Sequence, residues 1–278
     1  MRATRRWIWR TLAFSFVALV VASMALVVHD TWFTKLGDVR LTSDNVAAGR
    51  PLRILQLTDI HDLPRQRQLD SIVELASGAH PDLIAVTGDL ANVTTTDFTR
   101  MQGLLERLVG LGVPVYFVPG NHEYGNAAYA AEKQMIADTG AVFLLNRGTA
   151  LDGPWGALDV MGTGDYSTGH GNLAAATQGR RPGAFGLVLT HAPEKVIPLL
   201  ADSGTDLVIC GHTHAGQIRL PWVGALFTPD GGWLPTYDKG TFTFGDTTLY
   251  IDPGVGTTGI PVRFFNPSQI TLIEVTHP

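Results

Sequence analysis

The chain contains little cysteine and few charged residues. Its 278 residues include one cysteine, Cys210, so an intrachain disulfide is impossible and a cysteine-rich zinc site is excluded. Charged residues make up 16% of the chain, and the formal net charge is −5. Because proteins that hold the phosphate backbone of nucleic acids are usually basic, we expect no nucleic-acid partner. Apolar residues make up 45%, which excludes a largely disordered chain.

One apolar run is long enough to cross a membrane. Residues Thr11 to Val28 carry no charge, and as a helix they reach about 27 Å, close to the roughly 30 Å of a bilayer core. Only Lys35 and Arg40 follow this run closely. Four arginines precede it: Arg2, Arg5, Arg6 and Arg10. The positive-inside rule therefore predicts a cytoplasmic N-terminus and a globular part outside the cytoplasm.

Two interpretations of this segment stay open. It is either an uncleaved single-pass anchor in the cell membrane or an export signal, and Arg5-Arg6 resembles a twin-arginine signal. The predicted organisation is a basic tail at 1–10, the span or signal at 11–28, a linker at 29–50 and one folded domain at 51–278.

The rest of the chain alternates short apolar runs with helical patterns. One helix is predicted from Leu69, Ile72, Val73 and Ala76, whose spacing places them on one face. Strand–helix alternation predicts an α/β fold. The predicted strands of this part are Leu52–Leu57, Leu83–Val86, Val115–Val118, Val142–Leu145, Leu158–Met161, Leu187–Leu189 and Leu207–Cys210. Strands predicted at 241–244, 248–251 and 270–275 are expected to lie antiparallel at the edge of a second sheet.

Five of these predicted strands are followed by residues of the types that bind metal ions. In open α/β sheets, functional sites lie outside the carboxyl ends of the strands, so these corners are expected to converge. Imidazoles, carboxylates and an amide oxygen suit Mn, Fe, Zn or Ni. The residues at the corners are Asp59 and His61, Asp89, Asn121 and His122, His191, and His212 and His214. They are numerous enough for two divalent metal ions about 3.5–4 Å apart, the arrangement that clamps an in-line displacement at phosphorus.

The order Asp-x-His, Gly-Asp, Gly-Asn-His-Glu, His, Gly-His-x-His resembles the calcineurin-like metallophosphoesterase superfamily. The strings from Gly211 to Pro221 and from Gly254 to Pro267 are similar to its bacterial membrane-associated branch. The resemblance implies a four-layer α/β-β/α sandwich and a metallophosphoesterase catalytic domain over 51–278.

The resemblance also implies a role for each corner residue. Asp59, His61, Asp89 and His214 would hold one metal. Asp89, Asn121, His191 and His212 would hold the other, with Asp89 bridging. A hydroxide activated by both metals would attack the phosphoester, and His122 would contact the phosphate and act as the catalytic acid.

We expect a phosphodiesterase that acts on a phosphoester substrate, including lipid-linked ones. Two alternatives stay open: a pyrophosphohydrolase of the UDP-2,3-diacylglucosamine type, and a catalytically silent metal-binding scaffold. Neither His-Glu-x-x-His nor His-x-His-x-Asp-His occurs, which disfavours a metalloprotease or a lactamase. Surface or structural roles are expected for four further polar residues, although each could line a substrate groove: Arg219, Tyr237, Lys239 and Arg263.

Overall fold

The apolar run near the N-terminus lies inside one long helix. The computed structural model describes residues 2–278, with side chains from Arg6 onward. Helix α1 spans Arg2–Trp32 and contains the predicted span. None of the described apolar side chains of this span is buried in the rest of the protein. The helix is therefore long and apolar enough to be a membrane anchor or a signal. The side chains of the first half of the predicted basic tail lie outside the described residues.

The first sheet has six strands in the order β1-β16-β2-β3-β4-β5. Its core is parallel, and β16 runs antiparallel to β2 and parallel to β1. The strands are β1 (Lys35–Thr42), β2 (Leu52–Leu57), β3 (Leu83–Thr87), β4 (Val115–Val118), β5 (Val142–Phe143) and β16 (Gln269–Thr276).

The second sheet also has six strands, in the order β14-β15-β9-β8-β7-β6. Its four central strands are parallel and both outer pairs are antiparallel. The strands are β6 (Arg147–Gly153), β7 (Gly156–Gly162), β8 (Phe185–Leu189), β9 (Leu207–Cys210), β14 (Gly240–Phe244) and β15 (Thr247–Ile251). Two short hairpins follow β9: β10 (Arg219–Leu220) with β11 (Gly224–Ala225), and β12 (Phe227–Thr228) with β13 (Gly232–Trp233).

Helices cover the outer face of each sheet. On the first sheet they are α2 (Gln66–Ala79), α3 (Thr99–Val109) and α5 (Tyr129–Asp138), and on the second α6 (Leu173–Ala176) and α7 (Ile197–Leu200). The short helix α4 (Asn121–Gly125) follows β4 at the end of the first sheet. Leu69 and Ile72 of α2 pack on the outer face of the first sheet, whereas Ile54 and Leu187 pack between the sheets. This arrangement confirms the predicted four-layer sandwich. The second helical layer is thin, because its helices have four residues each.

Two predictions about the chain's organisation are wrong. Residues 29–50 are not a linker, because α1 continues to Trp32 and β1 pairs with β16 along its whole length. The mixed polar composition of β1 reflects an edge strand, held by backbone hydrogen bonds while most of its side chains are partly exposed. The strand predicted at 270–275 lies inside the first sheet rather than at the edge of the second.

Candidate metal centre

The five strand ends meet where the two sheets face each other. Each predicted ligand lies two to four residues beyond the end of a strand: Asp59 and His61 after β2, Asp89 after β3, Asn121 after β4, His191 after β8, and His212 and His214 after β9. All seven are brought together with His122, and their mutual distances define two clusters of ligand atoms.

The first cluster contains Asp59 Oδ1, His61 Nε2, His214 Nε2 and Asp89 Oδ2. The two imidazole nitrogens lie 3.1 Å apart. Asp59 Oδ1 lies 3.4 Å from His214 Nε2, and Asp89 Oδ2 lies 3.7 Å from His61 Nε2. All four side chains are buried.

The second cluster contains the same Asp89 Oδ2 with Asn121 Oδ1, His191 Nε2 and His212 Nδ1. His191 Nε2 lies 3.3 Å from Asp89 Oδ2 and 3.1 Å from Asn121 Oδ1. His212 Nδ1 lies 2.9 Å from Asn121 Oδ1 and 3.3 Å from His191 Nε2. One oxygen of Asp89 therefore belongs to both clusters.

The spacing of these atoms fits metal coordination. Metal–nitrogen and metal–oxygen bonds of about 2.0–2.2 Å place neighbouring ligand atoms about 3.0–3.5 Å apart. The quoted distances within the two clusters run from 2.9 to 3.7 Å. The donors are imidazoles, carboxylates and one amide oxygen, which suit a divalent transition metal.

Three of the four predicted histidine ligands have their other ring nitrogen held by a hydrogen bond outside the clusters, whereas the buried Nδ1 of His214 has no hydrogen-bond partner among the described residues. His61 Nδ1 lies 3.1 Å from Asn92 Oδ1, and His191 Nδ1 lies 2.8 Å from the Thr87 carbonyl. Because both oxygens are acceptors, each Nδ1 carries the proton and each Nε2 keeps its lone pair for the cluster. His212 Nε2 is placed in the same way, 3.2 Å from Asp230 Oδ2.

The two aspartates are held by the loops around them. Asp59 Oδ2 accepts hydrogen bonds from the Thr58 hydroxyl at 2.9 Å and from the His212 backbone N–H at 3.0 Å. Asp89 Oδ1 accepts one from the His122 backbone N–H at 2.9 Å. These bonds hold one oxygen of each carboxylate while the other faces the clusters, and the His212 N–H also lies 3.2 Å from Asp59 Oδ1.

Glycines that precede the ligands leave room for these carboxylates. A methyl group on Gly211 would overlap Asp59 Oδ2, and one on Gly120 would overlap Asp89 Oδ1. The Gly-His and Gly-Asn pairs of the sequence thus have a packing cause.

Five of the ligand residues adopt the left-handed backbone conformation, which is uncommon outside glycine. Such a conformation carries strain that the surrounding bonds must hold, and strain of this kind concentrates at functional sites. The φ angles are 53° at Asp59, 50° at His61, 52° at Asp89, 69° at His212 and 50° at His214.

His214 and Asp89 hold the charge states that metal ligands need, whereas His191 does not, because the charge of Asp89 outweighs burial and raises the pKa of His191 well above its usual value. Burial lowers the pKa of His214 to about 3 despite the opposing charge of Asp59, so its ring is neutral at pH 7. Burial alone would raise the pKa of Asp89, but the neighbouring imidazoles of His191 and His61 outweigh it and hold the pKa well below its usual value. Neutral histidines and ionised aspartates are the metal-binding forms.

His122 lies at the open side of the first cluster. Its ring meets the His61 ring edge to face, with the centroids 4.5 Å apart, and its Nε2 lies 3.8 Å from Asp89 Oδ2. Its side chain is 16% exposed, whereas those of the neighbouring ligands are closed off from solvent. It is near enough to His61 and Asp89 to join a metal site with them, a possibility that the sequence interpretation did not include.

Glu123 has a larger part in the site than its sequence position indicated. Its side chain is fully buried, and Oε2 accepts hydrogen bonds from the backbone N–H groups of Asp89 at 2.8 Å and Gly120 at 2.6 Å. Oε1 accepts a third from Leu90 at 2.8 Å. Burial and the charge of Asp89 raise the pKa of Glu123 to about 7. It ties together the loops after β3 and β4.

Three of the four polar residues left open by the sequence have structural partners: Arg219, Tyr237 and Arg263. Arg219 pairs with Asp238 at 2.7 Å, and Tyr237 packs on aromatic rings of β14. Arg263 is fully buried and donates to backbone carbonyls. Burial lowers the pKa of Lys239 to about 8.

Comparison with known proteins agrees with this geometry. The family model described as calcineurin-like phosphoesterase matches residues 52–216, which is more than half of the chain and includes all seven predicted ligands. The chain belongs to this family.

Relatives of this calcineurin-like phosphoesterase include bacterial and animal proteins. "Uncharacterized metallophosphoesterase YkuE" of Bacillus subtilis is 28% identical over 228 residues, covering 80% of this chain and 78% of that protein. "Phosphodiesterase YaeI" of Escherichia coli is 30% identical over 238 residues, 84% of each chain. "Transmembrane protein with metallophosphoesterase domain" of Bos taurus is 30% identical, covering 80% of this chain and 52% of that protein.

Proposed function

We propose that the chain is a phosphodiesterase that uses two divalent metal ions. The observation that carries this proposal is the position of Asp89 Oδ2, which lies in both clusters of ligand atoms. Asp59, His61 and His214 would hold one ion and Asn121, His191 and His212 the other. Asp89 would bridge them, since a shared carboxylate oxygen offsets the repulsion between two close cations. Mn, Fe, Zn and Ni all suit these donors.

The residues of the site would have separate roles in phosphoester hydrolysis. Bound metal ions would supply Lewis acidity toward the phosphoryl oxygens and lower the pKa of a coordinated water. The buried ligands hold that chemistry in a space with little bulk solvent, where charge stabilisation is strong. His122, at the open side, would contact the phosphate and give a proton to the leaving oxygen.

A diester is the preferred substrate class. The name of the Escherichia coli relative supports it, since that protein is called a phosphodiesterase. Turnover of bis-p-nitrophenyl phosphate, p-nitrophenyl phosphate and UDP-2,3-diacylglucosamine, each with added Mn, Zn or Ni, tests the proposal. We expect the diester to be cleaved faster than the monoester, and only with metal. Faster cleavage of the UDP lipid would favour the pyrophosphohydrolase alternative, and no turnover with any metal would favour a silent scaffold.

We propose further that α1 anchors the protein in the cell membrane, with the catalytic domain outside the cytoplasm. Support comes from the arginines Arg2, Arg5, Arg6 and Arg10 ahead of the span, which resist translocation. Protease treatment of intact spheroplasts that carry a C-terminally tagged protein tests the orientation. The tag should be lost from intact spheroplasts. A tag that survives until lysis would place the domain in the cytoplasm.

The orientation test does not show whether α1 is cleaved from the mature protein. The mass of the mature protein separates an anchor from a cleaved export signal.

A further inference from the structure

An apolar groove lies beside the candidate metal centre. It has a volume of about 440 Å³, and His214 of the first cluster is among its lining residues. Apolar side chains form most of its remaining wall: Ile218, Leu226, Phe227, Trp233 and Ile260. Two of these are strongly exposed although they are large, with Trp233 at 78% and Ile260 at 59%. The proposed hydrolysis of phosphate at the centre does not by itself need this groove.

The end of the apolar helix α1 is bound to the same part of the fold. The Asp30 side chain accepts a hydrogen bond from the Asn266 backbone N–H at 3.0 Å, and its backbone carbonyl accepts one from Ser268 at 2.7 Å. Thr31 Oγ1 accepts one from the Arg263 backbone N–H at 2.9 Å. The helix therefore ends on the segment 263–268 without an intervening tether.

That segment joins the helix end to the groove and to the metal centre. Phe264 exchanges backbone hydrogen bonds with Gln217 at 3.0 Å and with Arg219 at 2.9 Å, and these two residues flank Ile218 of the groove wall. Asn266 Nδ2 donates to the His214 carbonyl at 2.7 Å. A membrane that holds α1 would thus hold the groove close to its surface.

Large apolar side chains remain exposed around this edge of the domain. Soluble monomers rarely expose such sets, and aromatic residues favour the membrane interface. At the helix end they are Trp32 and Phe33, and in the groove wall they are Phe227, Trp233 and Ile260. Further ones lie on chain segments next in sequence to the groove residues: Trp222, Val223, Leu234 and Phe265.

We propose that the groove binds the hydrocarbon chain of a lipid phosphoester whose phosphate lies at the metal centre. This inference rests on the proposed function for its catalytic part and adds the substrate class. A hydrocarbon chain is the occupant that matches both the apolar wall and the position beside a membrane helix. Each methylene of the hydrocarbon chain that the groove buries would raise the binding affinity by up to about fourfold.

The test uses the full-length, Mn²⁺-supplied protein and a series of alkyl p-nitrophenyl phosphates from methyl to octyl. The value of kcat/KM should rise by about two- to fourfold per methylene over part of the series. Ile260→Asp should flatten this rise, measured as the ratio of the octyl value to the methyl value within the variant. Leu199→Asp, an exposed apolar residue on α7 outside the groove, should keep the rise.

Calorimetric binding of octyl phosphate and methyl phosphate separates the two proposals. Tighter binding of octyl phosphate that Ile260→Asp abolishes supports the groove, even if no ester is cleaved and the proposed hydrolase activity fails. Cleavage of the methyl ester, with kcat/KM independent of alkyl chain length, would contradict lipid binding in the groove and would still support the proposed hydrolase activity. Equal binding of both phosphates by the unaltered protein would also overturn the groove.

Discussion

Glu123 holds the backbone of Asp89 in place, with its Oε2 accepting the Asp89 N–H at 2.8 Å while the Asp89 carboxylate faces both metal-ligand clusters. Glu123 does not itself enter either cluster, so it acts as a positioning residue for the proposed bridge. The same oxygen accepts the Gly120 N–H, one residue before the ligand Asn121. Its removal should disturb ligands on two loops together.

Glu123→Gln tests this positioning role. The glutamine amide places a donor where backbone N–H groups also donate, so we expect metal affinity to fall by about 10–100-fold. Metal titration followed by activity should show a shifted midpoint, with much of the turnover regained at high metal. Glu74→Gln, an exposed change on α2, is the control. An unchanged midpoint in Glu123→Gln would contradict the role.

His122→Ala separates proton transfer from metal binding. Because His122 is proposed as an acid and not as a ligand, we expect the variant to keep its metals and lose turnover by about 10²–10⁴-fold. The loss should be smaller for esters with good leaving groups, which need no proton. If the variant loses metal instead, His122 is a ligand with His61 and Asp89, which the short distances among these three residues would also permit.

The buried Glu132 predicts how stability depends on pH. Burial and the charge of Glu123 raise the pKa of Glu132 from 4.5 to about 9. Between pH 4.5 and about pH 9, Glu132 therefore keeps its proton in the folded state and loses it in the unfolded state. The contribution of Glu132 to the free energy of unfolding is full below about pH 4.5. This contribution is lost as the pH rises to about 9, at no more than about 1.4 kcal/mol per pH unit.

Glu132→Gln removes this titration and should unfold at a higher temperature than the unaltered protein at pH 8. The difference should shrink toward pH 5. Thermal unfolding at several pH values, with Glu74→Gln as an exposed control, checks it. A difference that does not change with pH would rule out Glu132 as the source.

The sequence alone was sufficient to predict the strands that end at the candidate metal centre. Buried runs such as Leu52–Leu57 are purely local signals, and the polar residues after them follow from the rule that sites lie at strand ends. The edge strand β1 was missed because its side chains are mixed and its stability comes from pairing with β16, some 230 residues away along the chain. Pairing partners of that kind leave no local pattern.

The residues that contact the proposed ligands were harder to predict than the cluster residues themselves. Asn92 and Asp230 act through contacts with His61 and His212 that only the folded chain creates. Glu123 binds backbone groups, which carry no residue signature. The burial of Arg263 was equally hidden, since an arginine in a loop is usually exposed.

The central claim is that one carboxylate, Asp89, holds two metal ions, and elemental analysis tests it most directly. The metal-supplied protein should contain two ions per chain and cleave bis-p-nitrophenyl phosphate. The Asp89→Asn variant should bind one ion or fewer and lose activity in parallel. The control is Asp159→Asn, which changes a buried aspartate that pairs with Arg181 away from the centre, and this variant should keep both ions. Two ions per chain with normal turnover in Asp89→Asn would contradict the account.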